Sequence, residues 1–309
     1  MPKPVKQWIV DEYAAIVGRH DNPRLFGGPA GDPGLLGPDS ISWRIHADVS
    51  SVAIAGAGAI TMEILHPSVM AGVHDMSSYR EDPFRRARTT AGYVITTTFG
   101  STQAATNMIN AVRGIHGKIN GTRPDGIPFR ALDPKLIGWV HTCIPWGIML
   151  AYDRYCRPLS VAERDQYLAE QAIIGRLGGA EDIPETYAEL LDYVEAMRPN
   201  LAVNEQTRTF FEFMLTAPFG PSLPDPVADR IKLLSVHASM SLQPDWARDL
   251  TGFHHGELVQ RAVVEPYLQL IARGLRWGCG TPPYKAMAEA RMRGSAPMTP
   301  KVASQPVAA

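Results

Sequence analysis

The sequence predicts an all-α protein, a bundle of helices around a buried core. Three observations carry that expectation. Apolar residues recur at three- and four-residue intervals through most of the chain, capping signatures precede several of these runs, and glycine and proline punctuate what lies between them. At 309 residues, 45% hydrophobic and 20% charged, the chain is long enough for one large domain or two small ones and has ordinary globular composition. A net charge of −1 gives no electrostatic footprint for nucleic acid or an acidic membrane. Cys143, Cys156 and Cys279 form an odd set without metal-ligand spacing. They are expected as free, buried thiols in a reducing, cytoplasmic compartment. The opening MPKPVKQWIVDEY has neither the apolar stretch nor the cleavage site of a secretory signal.

Taken in order, Val5, Trp8, Ile9, Tyr13, Ile16 and Val17 place an amphipathic helix over 3–18. The Gly/Pro-rich DNPRLFGGPAGDPGLLGPDS (21–40) is too long for a simple connector and reads as a lid or an arm for a homo-oligomer contact. Residues 1–40 therefore form an N-terminal helix and arm, 41–292 a helical domain, and 293–309 a disordered tail. Asp39 or Ser40 caps a short helix carrying Trp43 and His46. The apolar run 49–65 raises a membrane question, but its length, the interruption at Glu63, and Gly56 and Gly58 favour a core helix in close contact with a neighbour. Pro67 opens the next helix. Helices over 82–99 and 101–119 should be separated by a bend near Gly100, with Ser101 as N-cap of the second. NGTRPDGIPF (120–129) reads as a turn with Asp125-Gly126 at a hairpin tip. A helix with a kink at Pro145 follows over 133–155, and a capping box of Ser160 and Glu163 opens the helix to Arg176. Further helices are expected over 184–197, 204–215, 224–240 and 254–276, with His254-His255 a surface pair.

The stretch from Asp82 to His116 gathers the most unusual polar pattern. Arg85, Arg88 and Thr89 share one helix face, and Arg113 and His116 share another. On one unbroken helix Thr89 and His116 would stand ~40 Å apart. If the chain reverses near Gly100, the two clusters can face each other across a gap that a planar cofactor would fill. Alternatively the arginines form a salt-bridged face with Glu81 and Asp82, and His116 is a plain core or surface histidine. Trp139, His141, Thr142 and Trp146 crowd one apolar helix and form either a cofactor wall or ordinary core.

Four blocks in order, HPSVMAGV (66–73), DPFRRARTT (82–90), AVRGIHG (111–117) and PDGIPFRALDPKLIGWVHT (124–142), resemble the haem-dependent oxygenases related to rubber oxygenase (latex clearing protein) and the MpaB-type oxygenase. LQPDWAR (242–248) resembles a late element of the same family, and the likeness spans about 40–250. The resemblance implies a globin-like helical bundle enclosing a b-type haem. His116, in an Arg-x-x-His element with Arg113, would be the proximal iron ligand. The rubber-cleaving branch carries Arg-x-x-Lys-Thr on the distal side, where this chain reads Arg85-Arg86-Ala87-Arg88-Thr89. Arginine stands in the lysine's place, and a guanidinium stays protonated and does not readily ligate iron. Thr142 resembles a threonine near that branch's active site. His141 would bond a haem propionate, line the pocket, or cap a backbone carbonyl.

The implied activity is an oxygenase acting on an apolar or alkene-containing organic substrate with dioxygen or peroxide, Arg85, Arg88 and Thr89 steering the oxygen. A haem carrier or sensor without turnover is the alternative. A third reading drops haem and treats the chain as a structural or interaction protein.

Overall fold

A computed structural model describes residues 4–217, 225–254 and 256–294. The described chain is helical apart from one hairpin. Helices α1 (Val5–Val17), α2 (Pro23–Phe26), α3 (Ile41–His46), α4 (Val49–Ile64), α5 (Pro67–Met76), α6 (Pro83–Phe99) and α7 (Thr102–His116) precede the antiparallel strands β1 (Asn120–Thr122) and β2 (Pro128–Arg130). There follow α8 (Pro134–Tyr155), α9 (Val161–Gly178), α10 (Tyr187–Met197), α11 (Glu205–Thr216), α12 (Asp225–Met240) and α13 (Asp245–Thr251). Helix α14 (Glu257–Val259) runs through a π turn into α15 (Glu265–Cys279), and α16 (Pro283–Met292) closes the described chain.

Most helix starts obey the caps written in the sequence. Ser40 accepts from Trp43 N–H, Asp82 from Arg85 N–H and Ser101 from Ala104 N–H, each filling a donor the first turn leaves unpaired. Ser160 and Glu163 close the expected reciprocal box, and Thr186 with Glu189 closes a second. In the hairpin Asn120 pairs with Arg130 and Thr122 with Pro128, and Gly126 takes φ 84° at the tip, where a side chain would be strained. Sequence spacing overlooked α2, α13 and α16.

Helices α4 and α8 form the central seam. A Cβ on Gly147 would touch the Ala59 and Ala55 methyls at 3.4 and 3.6 Å, so glycine there permits the approach. Gly58 meets α12 in the same way, its N–H donating to Ser239 Oγ at 2.7 Å. Gly56 makes no such contact. The largest core cluster joins Ile45, Ile54, Trp139, Met149, Tyr167 and Leu268 around this seam. No single described helix is long and apolar enough to cross a membrane; α4 and α5 pass on length and composition only as a pair bent by 109° at a short break. Most of α4 is buried inside the molecule.

The 21–40 arm is tied to its own chain. Arg291 on α16 is fully buried, its Nε donating to Asp32 O at 2.8 Å and its Nη1 to Phe26 O and Phe99 O at 2.8 and 2.9 Å. The Asp32 carboxylate in turn accepts from Thr102 N–H and Thr102 Oγ at the start of α7. The expected tail falls almost wholly outside the described residues, as does His255. His254 is at the surface and pairs with Asp249.

Candidate functional site

The bend at Gly100 sets the site. Its N–H donates to Thr96 O, ending α6, and a Cβ there would overlap that carbonyl. Helix α7 then folds back, so that Arg86 near the start of α6 lies within electrostatic reach of His116 at the end of α7. On a continuous helix those two would be about 45 Å apart. The reversal that the polar clusters required is present, and it brings Arg86 to His116.

Position 86 is one step from the face that spacing singled out. At ~100° per residue, 85, 88 and 89 fall within an arc of about 100°, and 86 lies about 60° beyond its edge. Arg85 and Thr89 are exposed, and the Thr89 hydroxyl donates to the Arg85 carbonyl one turn back. Arg88 reaches the other way, to Asp82 and to Ala15 O at 2.9 Å in the last turn of α1, where a cation meets the helix's partial negative charge. For Arg88 the salt-bridged reading describes the structure. Thr89→Val and Arg85→Ala are accordingly expected to leave turnover within about twofold of wild type, since exposed polar changes cost little. Steady-state oxygen consumption checks this.

Arg86 is held by Glu63. The Glu63 carboxylate is buried 3.0 Å from Arg86 Nη2, with Trp139 Nε1–H donating to the Glu63 carbonyl at 3.1 Å. Burial pushes the Glu63 carboxyl above its ordinary range, and Arg86 pulls it partly back. A carboxyl raised in the folded state contributes stability below its unfolded value and loses it as pH rises through the folded one. Arg86→Met removes the counter-charge and raises Glu63 further. The expected deficit is about 3 kcal/mol at pH 8, because an uncompensated charge stays buried, and a smaller one at pH 5, where the carboxyl can take a proton. Urea unfolding at the two pH values measures it, and a deficit independent of pH would remove Glu63 from the account.

His116 is half-buried and, among the described residues, its ring makes no hydrogen bond. Burial first, and Arg86 second, lower its basicity, so the imidazole is neutral with its nitrogens free. Arg86 also has a buried Nε–H without a partner, as has the buried Thr142 hydroxyl on α8. Arg113 points away from its neighbour, donating to Leu177 O at 3.1 Å at the end of α9.

His141 takes the third of its expected roles. Its Nε2 lies 2.7 Å from Gln171 O on α9. Burial brings its pKa down to about 4, against the opposing effect of that hydrogen bond, so the ring is neutral. Gly175 makes room for it, since a Cβ there would run into the imidazole. Trp139 is fully buried core, and Cys143, one turn on, lies beside Glu63. All three cysteines are free, but only Cys143 is buried: Cys279 is half-buried, and Cys156 is exposed because α8 ends there. Among the described residues no group of His, Cys, Asp or Glu side chains is placed to hold a metal ion by itself.

Glu63 and Arg86 are the residues that spacing alone missed. A lone acid inside an apolar helix was the available signal, because a buried carboxylate needs a cation.

In this all-helical fold a half-buried histidine with no hydrogen bond among the described residues lies within electrostatic reach of an ion-paired arginine. The match to known families is specific: residues 43–277 fit the family described as ER-bound oxygenase mpaB/B'/Rubber oxygenase, catalytic domain. The chain belongs to that oxygenase family. It is also 29% identical over 133 residues to the uncharacterized proteins Mb2261 of Mycobacterium bovis and Rv2237 of Mycobacterium tuberculosis, an overlap covering 42% of this chain and 51% of each relative. The chain thus spans about half the length of the curated relatives it matches. No solved structure is significantly similar.

Proposed function

We propose that this oxygenase binds one b-type haem through the His116 imidazole in a globin-like arrangement of helices, and acts on an apolar or alkene-containing organic substrate. The observation that carries the reading is His116 itself, a half-buried imidazole kept neutral and left without a hydrogen-bond partner among the described residues. That is the form in which histidine ligates a metal. The surrounding donors fit the group as well. Arg86 keeps an unpaired Nε–H after Glu63 has taken Nη2. Two small cavities lie elsewhere, one between α4 and α8 and the other among α3, α6, α8 and α9; His116 lines neither.

When bound, haem supplies an iron that takes up dioxygen or peroxide. The chain's own part is electrostatic. Arg86 presents a fixed positive charge whose orientation Glu63 sets, and such a charge acts most strongly where negative charge develops in a water-poor site. His116 accepts a proton only below its lowered pKa, so it is available as a ligand throughout the neutral range.

Purified protein supplied with haem should show a Soret band titrating to one haem per chain. Titration without a saturable Soret band removes the haem reading. Oxygen uptake with alkene substrates then separates an oxygenase from a carrier or sensor that holds haem without turnover.

A further inference from the structure

A second buried histidine, away from His116, forms a differently built site. His46 ends α3 and is 1% exposed, with Nδ1 2.7 Å from Thr98 Oγ on α6 and Nε2 2.8 Å from the hydroxyl of Tyr167 on α9. Tyr167 is fully buried, its ring edge-on to the imidazole at 5.6 Å. Proton counting fixes every bond. Thr98 Oγ also lies 2.8 Å from Val94 O, and a carbonyl can only accept, so the hydroxyl proton goes to Val94. Thr98 Oγ must then accept from His46 Nδ1–H. With the buried ring neutral, Nε2 carries a lone pair, and the Tyr167 O–H donates to it.

This arrangement matters because a phenol that loses an electron becomes a strong acid and needs somewhere to place its proton. Other buried tyrosines here have no such base. The Tyr79 hydroxyl has no partner among the described residues, and Tyr284 donates to the His46 backbone carbonyl at 3.2 Å. Only a side-chain imidazole can take up the proton and hold it. Glu170, one turn beyond Tyr167, supplies a compensating charge. Its carboxylate is fixed by Ile41 N–H, Ser42 N–H and Ser42 Oγ, and its field reaches the phenol.

The pair is also within range of the oxygenase site. Thr98 and Arg86 are twelve residues apart on α6, about 18 Å along the axis. Tyr93 lies between them, two turns from Arg86 on the same side of the helix, and lines one narrow cavity with His46 and Thr97.

We propose that Tyr167 is a redox-active tyrosine with His46 as its resident proton acceptor. One electron leaves the phenol for a one-electron oxidant, either an oxidised metal centre in the loaded enzyme or an added ruthenium(III) polypyridyl. The O–H bond breaks and an Nε2–H bond forms. The products are a neutral phenoxyl radical and an imidazolium that still donates from Nδ1 to Thr98, and return of the electron reverses both changes. The hydrogen-bond network needs no haem to hold it, so the test is independent of the haem reading.

The experiment is flash oxidation of the full chain by photogenerated ruthenium(III), freeze-trapping, and high-field electron paramagnetic resonance. Wild type should give a tyrosyl signal whose largest g component is lowered by a strong hydrogen bond. Tyr167→Phe, which removes one hydroxyl and little else, should lose that component at least tenfold with helical circular dichroism unchanged. His46→Gln should shift the g component or lower the yield. No tyrosyl signal in wild type, or an unchanged signal in Tyr167→Phe, overturns the proposal. If His46→Gln fails to fold, the Tyr167→Phe comparison decides alone.

Discussion

His116→Ala is expected to lower haem occupancy at least tenfold while leaving helical circular dichroism within a few per cent of wild type. The two readouts separate because of where the residue sits. Its ring bonds to nothing else among the described residues, and it ends α7 at a half-exposed position, so its loss opens no large cavity. Arg86, within electrostatic reach of His116, stays protonated and cannot take over as an iron ligand. Added imidazole should restore part of the Soret absorbance by filling the vacated position. Full occupancy with an unshifted spectrum in His116→Ala would move the ligand elsewhere, with His66 the next to test. That histidine now caps α5, its Nδ1 accepting from Ser68 N–H at 3.2 Å.

Arg291→Met should be the most damaging single change to stability, costing about 4 kcal/mol in urea unfolding with little change in the m-value. Methionine fills most of the volume but leaves three carbonyls, on Phe26, Asp32 and Phe99, without the donors that satisfied them. Unpaired buried acceptors cost roughly 1–3 kcal/mol each, with the total reduced where water can enter. Arg291→Lys should recover only part of this, since an ammonium cannot reproduce the fork that reaches all three. A loss below about 1 kcal/mol for Arg291→Met would mean that the arm and the α6–α7 turn hold together without the guanidinium.

Much of the helical framework was legible because the signals are local. Ser101, Ser160 with Glu163, and Asp125-Gly126 specify their caps and their turn within a few residues, and the structure uses each of them. The break at Gly100 and the buried helix from Val49 to Ile64 could be read in the same way. The rotation of α6 could not. Spacing says which side chains share a face, but the face that turns inward is chosen by a partner elsewhere, here Glu63, 23 residues earlier. His141 shows the same limit from another direction. Its crowding among tryptophans was visible, but the acceptor that claimed it, Gln171 O, is 30 residues away. The anchor of the 21–40 arm was hidden for the same reason, since Arg291 comes 259 residues after the Asp32 carbonyl it holds.

That anchor bears on the order in which the molecule can be completed during synthesis. The bonds from Arg291 close sequence separations of 265 residues to Phe26 and 192 to Phe99. A nascent chain emerging from the ribosome would have α6 and α7 available early, with the Phe99 carbonyl at the turn between them lacking its donor until the guanidinium arrives. At elongation rates of roughly 5–20 residues per second, that interval lasts on the order of ten seconds or more. A ribosome-stalled chain ending before residue 291 is therefore a natural intermediate in which the α6–α7 turn is built but not yet locked.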